Sequence, residues 1–228
     1  MVTIITVTHD AHRFVELCVK AVHKLTTQPY EHVVIDNGSQ PETMNFLTEC
    51  AKKEWISLYR RNVSKNATGH AVSLNWYLSS HHPDLVCLLD SDAFPVSPTW
   101  LEDLQGFLKG VDATGVSHFR DEKLLHPSCM LFKYSAYALA GKPSFLIRRT
   151  TNIFVDTAMF VCQEMVRSGS RVKPLNKETM QNICRHRWRG TRFENAKGDK
   201  IDDTPKEQYI KDTEDWFNNS LVKEILCH

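Results

Sequence analysis

Residues 85–89, Leu-Val-Cys-Leu-Leu, are apolar without interruption, and Asp90-Ser91-Asp92 follows at once. A strand with one wet face alternates apolar and polar residues. An unbroken run of this length fits a strand covered on both faces, as in a parallel sheet flanked by helices. Where such a strand stops, its last side chains emerge at the carboxyl edge of the sheet, where open α/β folds bind ligands. Two residues apart on an extended segment, Asp90 and Asp92 are expected to point the same way. Neighbouring carboxylates repel unless a cation or basic group neutralises them. A hard divalent ion such as Mg²⁺ or Mn²⁺, bridging to diphosphate oxygens, is the natural partner.

The rest of the first hundred residues supplies the helices and the other strands. Val2 to Thr8 is β-rich, and Phe14, Leu17, Cys18, Ala21, Val22 and Leu25 then fall on one face of an amphipathic helix. His32-Val33-Val34-Ile35 is a second strand, broken by Asp36-Asn37-Gly38-Ser39. Ser39-Gln40-Pro41-Glu42 has the form of a capping box and opens a helix carrying Met44, Leu47, Cys50 and Ala51. A third strand is predicted at Ile56 to Tyr59, a third helix at Ala71 to Leu78, and a further helix from Ser97-Pro98 with Trp100, Leu101, Leu104 and Phe107 on its face. Strand and helix alternating at this spacing imply parallel strands with right-handed crossovers.

Beyond Gly110 the pattern loosens. Cys129 to Phe132 reads as a strand, Ser135 to Ala140 as a short helix stopped by Gly141, and Asp156 to Arg167 as a helix ending at Gly169. Arg185 to Asp203 is polar, charged and aperiodic, which predicts a loop or flap. Thr204-Pro205 then caps one last amphipathic helix, with Tyr209, Ile210, Thr213, Trp216, Phe217 and Leu221 on its buried side. With no repeat or linker, the 228 residues are expected to form a single α/β domain.

A net charge of +1 excludes no class of partner. No apolar stretch is long enough for a membrane span, and the N-terminus reads as a strand instead of a signal sequence, so a cytoplasmic protein is expected. The seven cysteines contain no Cys-x-x-Cys pair and suit reduced, buried thiols. His81-His82 is expected on solvated surface. Asn62-Val63-Ser64 and Asn66-Ala67-Thr68 fit the glycosylation pattern, which carries little weight without a secretory signal.

Taken together, Thr6-Val7-Thr8-His9-Asp10, Asp36-Asn37-Gly38-Ser39, Asn66-Ala67-Thr68-Gly69-His70-Ala71 with Asn75, and Asp90-Ser91-Asp92 resemble, in order and spacing, the motifs of family 2 glycosyltransferases of the GT-A fold. The resemblance covers roughly residues 2 to 100. It implies a Rossmann-like, mostly parallel sheet flanked by helices, with residues 1–100 binding a nucleotide sugar and a variable acceptor region over 101–228. It also implies Thr8 and Asp10 in the base pocket and Asp36 accepting from base or ribose, with a uracil N3–H one donor, so that a UDP-sugar is favoured. Asn66 and Asn75 join the donor side; Asp90 lies by the ribose and a metal-bound water, and Asp92 ligates Mn²⁺ or Mg²⁺. For Asp36 the alternative is a plain turn-former in Asp-Asn-Gly.

In the second half, Asp156, between Phe154-Val155 and a helix, resembles the family's general base, which takes the proton of a weakly nucleophilic sugar hydroxyl. As a helix-opening residue it is equally suited to an N-cap. Glu164 and Asp121 stand behind it in that role. His186 resembles the late histidine that completes the metal site in several GT-A enzymes, or is one histidine in a solvated cationic loop. Arg185, Arg187, Arg189 and Arg192, interleaved with Trp188 and Phe193, suit a flap that clamps the donor diphosphate, chiefly through Arg189 and Arg192. The same flap could hold a polyanionic acceptor, nucleic acid included, or simply face water.

The reading that follows is a metal-dependent, inverting transferase from a nucleotide-sugar donor to a hydroxyl of a glycan or other acceptor. Its alternatives are the same chemistry on a hydroxylated nucleobase of DNA, and an inactive nucleotide-sugar or nucleic-acid binder. A haloacid-dehalogenase-type phosphatase also uses Asp-x-Asp, but after its first strand and not, as here, after the fourth.

Overall fold

The computed structural model describes residues 1–63, 67–118, 121–146, 148–149, 154–155, 157–187, 200–201 and 204–227, with backbone alone at 67, 148–149, 154–155, 200–201 and 204–206. In chain order the elements are β1 (Val2–Thr8), α1 (His12–Leu25), β2 (Tyr30–Asp36), α2 (Pro41–Lys52), β3 (Ser57–Arg60) and α3 (Ala67–Ser80). Then come β4 (Leu85–Leu89), β5 (Ala93–Pro95), α4 (Trp100–Leu108), β6 (Ala113–His118), β7 (Asp121–Lys133) and α5 (Tyr134–Leu139). The remainder holds β8 (Arg148–Arg149), β9 (Phe154–Val155), α6 (Met159–Arg167), β10 (Val172–Leu175), α7 (Lys177–Gln181) and β11 (Cys184–His186). A small pair, β12 (Lys200–Ile201) and β13 (Thr204–Pro205), precedes two closing helices, Lys206–Phe217 and Ser220–Leu226.

Seven strands form one sheet in the order β10-β6-β7-β4-β1-β2-β3, drawing on both halves of the chain. β3, β2, β1 and β4 are parallel, and β7 runs antiparallel to both of its neighbours. The apolar run at 85–89 now has its cause. Val86 and Leu88 pack with Leu74 and Leu78 of α3 and Val161 and Met165 of α6. Cys87 and Leu89, pointing the other way, pack with Cys18 and Val22 of α1 and Trp100, Leu101 and Leu104 of α4. Both faces are dry, so neither parity of the strand can be polar.

One polar residue in this sheet is buried without charge. His32 on β2 is enclosed, its Nε2 3.1 Å from Thr6 Oγ1, and burial lowers its pKa to about 3. In the unfolded chain a histidine titrates near 6.5, so as pH falls from about 6.5 toward about 3 only the unfolded state gains this proton, and stability drops. Urea midpoints are expected to fall by up to about 1.4 kcal/mol of stability per pH unit across that window, and His32→Gln to flatten the slope.

Several local expectations shift. Ser39 does not cap α2: Gln40 holds the cap position ahead of Pro41, and the Ser39 hydroxyl instead accepts from the Asp10 N–H at 2.9 Å. α3 begins at Ala67, earlier than predicted, and α4 at Trp100, later. The strand predicted at 129–132 extends back to Asp121. α6 opens at Met159 after Ala158, so position 156 is not its cap. The final helix is two, because Asn219 restarts it by accepting from the Leu221 N–H at 3.1 Å. Ile210 is exposed, while Tyr209, Thr213 and Phe217 are buried. Phe217 and Trp216 pack on Phe14 of α1, and Arg13 pairs with Glu214. Of the cysteines, all but the exposed Cys227 are buried. His81 stacks on Tyr77 at 4.2 Å and is not fully solvated. Among the described residues no helix is long and apolar enough to cross a membrane.

Candidate metal and donor site

β4 ends at Leu89, and the chain turns. The Ala93 N–H donates to the Asp90 carbonyl at 2.9 Å, so Asp90-Ser91-Asp92 is a tight turn and not the extended segment expected. Asp and Ser favour such turns, and the reversal frees β5 to leave the main sheet. β5 then pairs antiparallel with β11, Ala93 opposite His186. The Arg187 N–H bonds to the Asp92 carbonyl at 2.8 Å and fastens the end of that ribbon. What was predicted as a loop or flap therefore begins as a strand, since the polar residues of β11 satisfy their backbone against β5.

This ribbon carries His186 to the two acids. Its Nε2 lies 3.1 Å from Asp92 Oδ1, and one ligand atom from each of Asp90, Asp92 and His186 falls within 4.8 Å of the others. Asp92 is only 5% exposed; Asp90 and His186 keep about a fifth of their side chains in contact with solvent. Burial works against a charge on His186, but Asp92 and, behind it, Asp90 outweigh that and hold its pKa above the ordinary value. A proton thus stands where a cation would neutralise the same acids. Two carboxylates and an imidazole at this spacing suit a divalent ion that accepts both oxygen and nitrogen ligands. His70, on the first turns of α3, brings Nε2 to 3.9 Å from Asp90 Oδ1.

The donor residues lie along the same sheet edge at the ends of β1 and β2, which pair with Thr8 opposite Asp36. Thr8 is buried, and its hydroxyl has no partner in the protein. Asp10 adopts φ 48°, pairs with His9 at 3.2 Å and accepts from the Gln40 N–H at 2.5 Å. Asp36 is fully buried, and its carboxylate accepts from the backbone N–H groups of Gly38 and Ser39 at 3.0 and 3.1 Å. Its turn-forming role is therefore real. Asn75 clamps the segment after α5, donating to Ser144 Oγ and accepting from the Phe145 N–H, each at 2.9 Å.

Asn66, Asp156, Arg189 and Arg192 lie outside the described residues. Arg187, read in the sequence as part of the flap, instead turns onto the penultimate helix, 4.8 Å over the Tyr209 ring and donating to Thr213 Oγ1 at 3.2 Å. Sequence reasoning gave no role to His70 or to His126, whose ring centroid is 5.7 Å from that of His186. Nothing local marks His126; only the length and register of β7 place it there.

A sequence model of the family described as Glycosyl transferase family 2 matches residues 3–159. No curated protein matches the chain. Similar solved structures include the mannosyltransferase PcManGT from Pyrobaculum calidifontis in complex with GDP-Man and Mn²⁺, at TM-score 0.64 and 16% identity over 99% of this chain and 67% of that one. S. aureus TarS residues 1–349 in complex with UDP-GlcNAc gives 0.58 and 13% identity, over 77% of this chain and 56% of that one. A mycobacterial protein gives 0.53 and 15%, over 77% of this chain and 65% of that one. At these identities the likeness is one of fold, the GT-A arrangement of a mostly parallel sheet between helices.

Proposed function

This chain belongs to glycosyl transferase family 2, and on that footing we propose that it moves a sugar from a nucleotide-sugar donor to an acceptor hydroxyl, with inversion, at the edge formed by Asp90, Asp92 and His186. The observation that carries the reading is the convergence of those three side chains, 94 residues apart in sequence at their extremes, on one point beside the end of β4. They would hold Mn²⁺ or Mg²⁺, and the imidazole favours Mn²⁺. Such an ion, when bound, supplies positive charge to the departing nucleoside diphosphate.

The chain's own residues do the positioning. Asp92, nearly buried and braced by His186, keeps one carboxylate fixed at the floor of the site. Thr8 and Asp10 flank the base pocket, with the turn held by Asp36 beneath it; a UDP-sugar is the favoured donor. Asp156, which stands in sequence between β9 and α6, takes the acceptor hydroxyl's proton as the new bond forms. Arg189 and Arg192 close over the diphosphate.

A panel of UDP- and GDP-sugars, each with and without Mn²⁺, tests the reading by thermal stabilisation and by slow donor hydrolysis. One donor is expected to stabilise the protein only when the metal is present, by about 2.7 kcal/mol at a hundred times its Kd. If no donor in the panel does so, the reading is wrong.

A further inference from the structure

β7 is 13 residues long, yet only Cys129 to Lys133 pair with β4. The remainder runs past the carboxyl end of β4 and overhangs the turn that holds Asp90 and Asp92. Ser128 marks the crossing point: its carbonyl accepts the Asp90 N–H at 3.3 Å. His126 lies two residues further out, roughly 7 Å beyond the end of β4 at strand rise. Its ring is nearly buried, tilted against His186 at 5.7 Å on one side and His118 at 5.4 Å on the other.

The protonation state of His126 is set by the backbone. The Ser128 N–H donates to His126 Nδ1 at 3.1 Å, and Ser128 Oγ lies 3.0 Å from the same nitrogen. A backbone N–H can only donate, so Nδ1 must carry a lone pair and the ring's single proton sits on Nε2, the side away from Ser128. His126 is thereby held as a neutral hydrogen-bond donor of fixed tautomer. A general base would need the opposite arrangement, an open lone pair toward the substrate.

Building on the proposed nucleotide-sugar reaction, we propose that His126 is a further catalytic residue, donating its Nε2–H to an oxygen of the donor's diphosphate as the nucleotide departs. The placement suits that role. The overhang of β7 sets the ring beside His186, on the wall of the site where a diphosphate bound to the ion would lie. Negative charge grows on those oxygens in the transition state, so a preorganised donor there favours departure more than it favours ground-state binding.

The test compares wild type, His126→Gln, His126→Leu and Ser128→Ala for Mn²⁺-dependent binding of UDP and GDP and for turnover of the donor. His126→Leu is expected to lower kcat about ten- to hundredfold, the loss of one hydrogen bond to a charged group, with little change in donor KM. His126→Gln, whose amide restores a donor, is expected to recover most of that loss. Ser128→Ala keeps the backbone N–H that sets the tautomer and is expected to stay near wild type. Matching thermal midpoints without metal show that the variants are folded. Unchanged kcat in His126→Leu overturns the proposal, as does an equal loss in His126→Gln. If wild type binds neither nucleotide with Mn²⁺, the proposed function itself fails and this role with it.

Discussion

Asp92→Asn is expected to lower metal-dependent donor turnover by about a hundredfold to a thousandfold while leaving the fold intact. The substitution keeps the shape of the side chain and its contact with His186 Nε2, 3.1 Å away, but removes half the negative charge of the paired acids. Without a cation, Asp90 and Asp92 repel each other, so the variant's thermal midpoint in chelator should equal or exceed that of wild type. With Mn²⁺ the order reverses, because wild type alone gains binding energy from the ion. Midpoints with and without Mn²⁺, read beside the rate, separate a lost ligand from a lost fold. Full turnover in Asp92→Asn would remove the triad from the mechanism.

The second large effect is on stability. Gly115 lies in β6 opposite Met130, at φ 148° and beside a register shift between β6 and β7. A Cβ there would stand 2.3 Å from the Cys129 carbonyl oxygen and 2.8 Å from the Met130 Cα. Both obstacles are backbone, and no rotamer relieves them. Gly115→Ala is expected to cost about 3 kcal/mol or more and to lower the thermal midpoint by about 6–12 °C. Because Cys129 adjoins Ser128, which anchors the Asp90 N–H, the variant should also lose Mn²⁺ affinity at temperatures where it remains folded. A thermal melt and a Mn²⁺ titration check both parts; a midpoint within about 2 °C of wild type would contradict the argument.

The sheet's parallel half was legible because burial on both faces writes itself locally: β1, β2 and β4 are apolar runs, and α1 carries a clean stripe. The acids at the end of β4 were legible for the same reason, since a strand's end can be counted from its apolar residues. Their geometry was not. An extended Asp90-Ser91-Asp92 was expected, and a turn was found, because the following β5 pairs with a strand that begins some ninety residues later. That partner, β11, has too few residues and too many charges to show as a strand by composition. Its backbone bonds are what fix it, and those depend on a register no window of sequence displays. β7 hid its length likewise: Asp121 to Pro127 is mixed in polarity, so only Cys129 to Phe132 stood out, and His126 went unassigned. Ser39-Gln40-Pro41-Glu42 misled because the serine hydroxyl was already engaged by Asp10, a contact between two loops.

The β5–β11 ribbon also fixes an order of events during synthesis. A nascent chain that has emerged through β10 already owns both carboxylates but has no imidazole facing them, and α1 still waits for the helices that cover Phe14. Ion capture by all three ligands is then possible only once the last fifth of the polypeptide has left the ribosome, so a prematurely terminated product is catalytically silent whatever the state of its sheet.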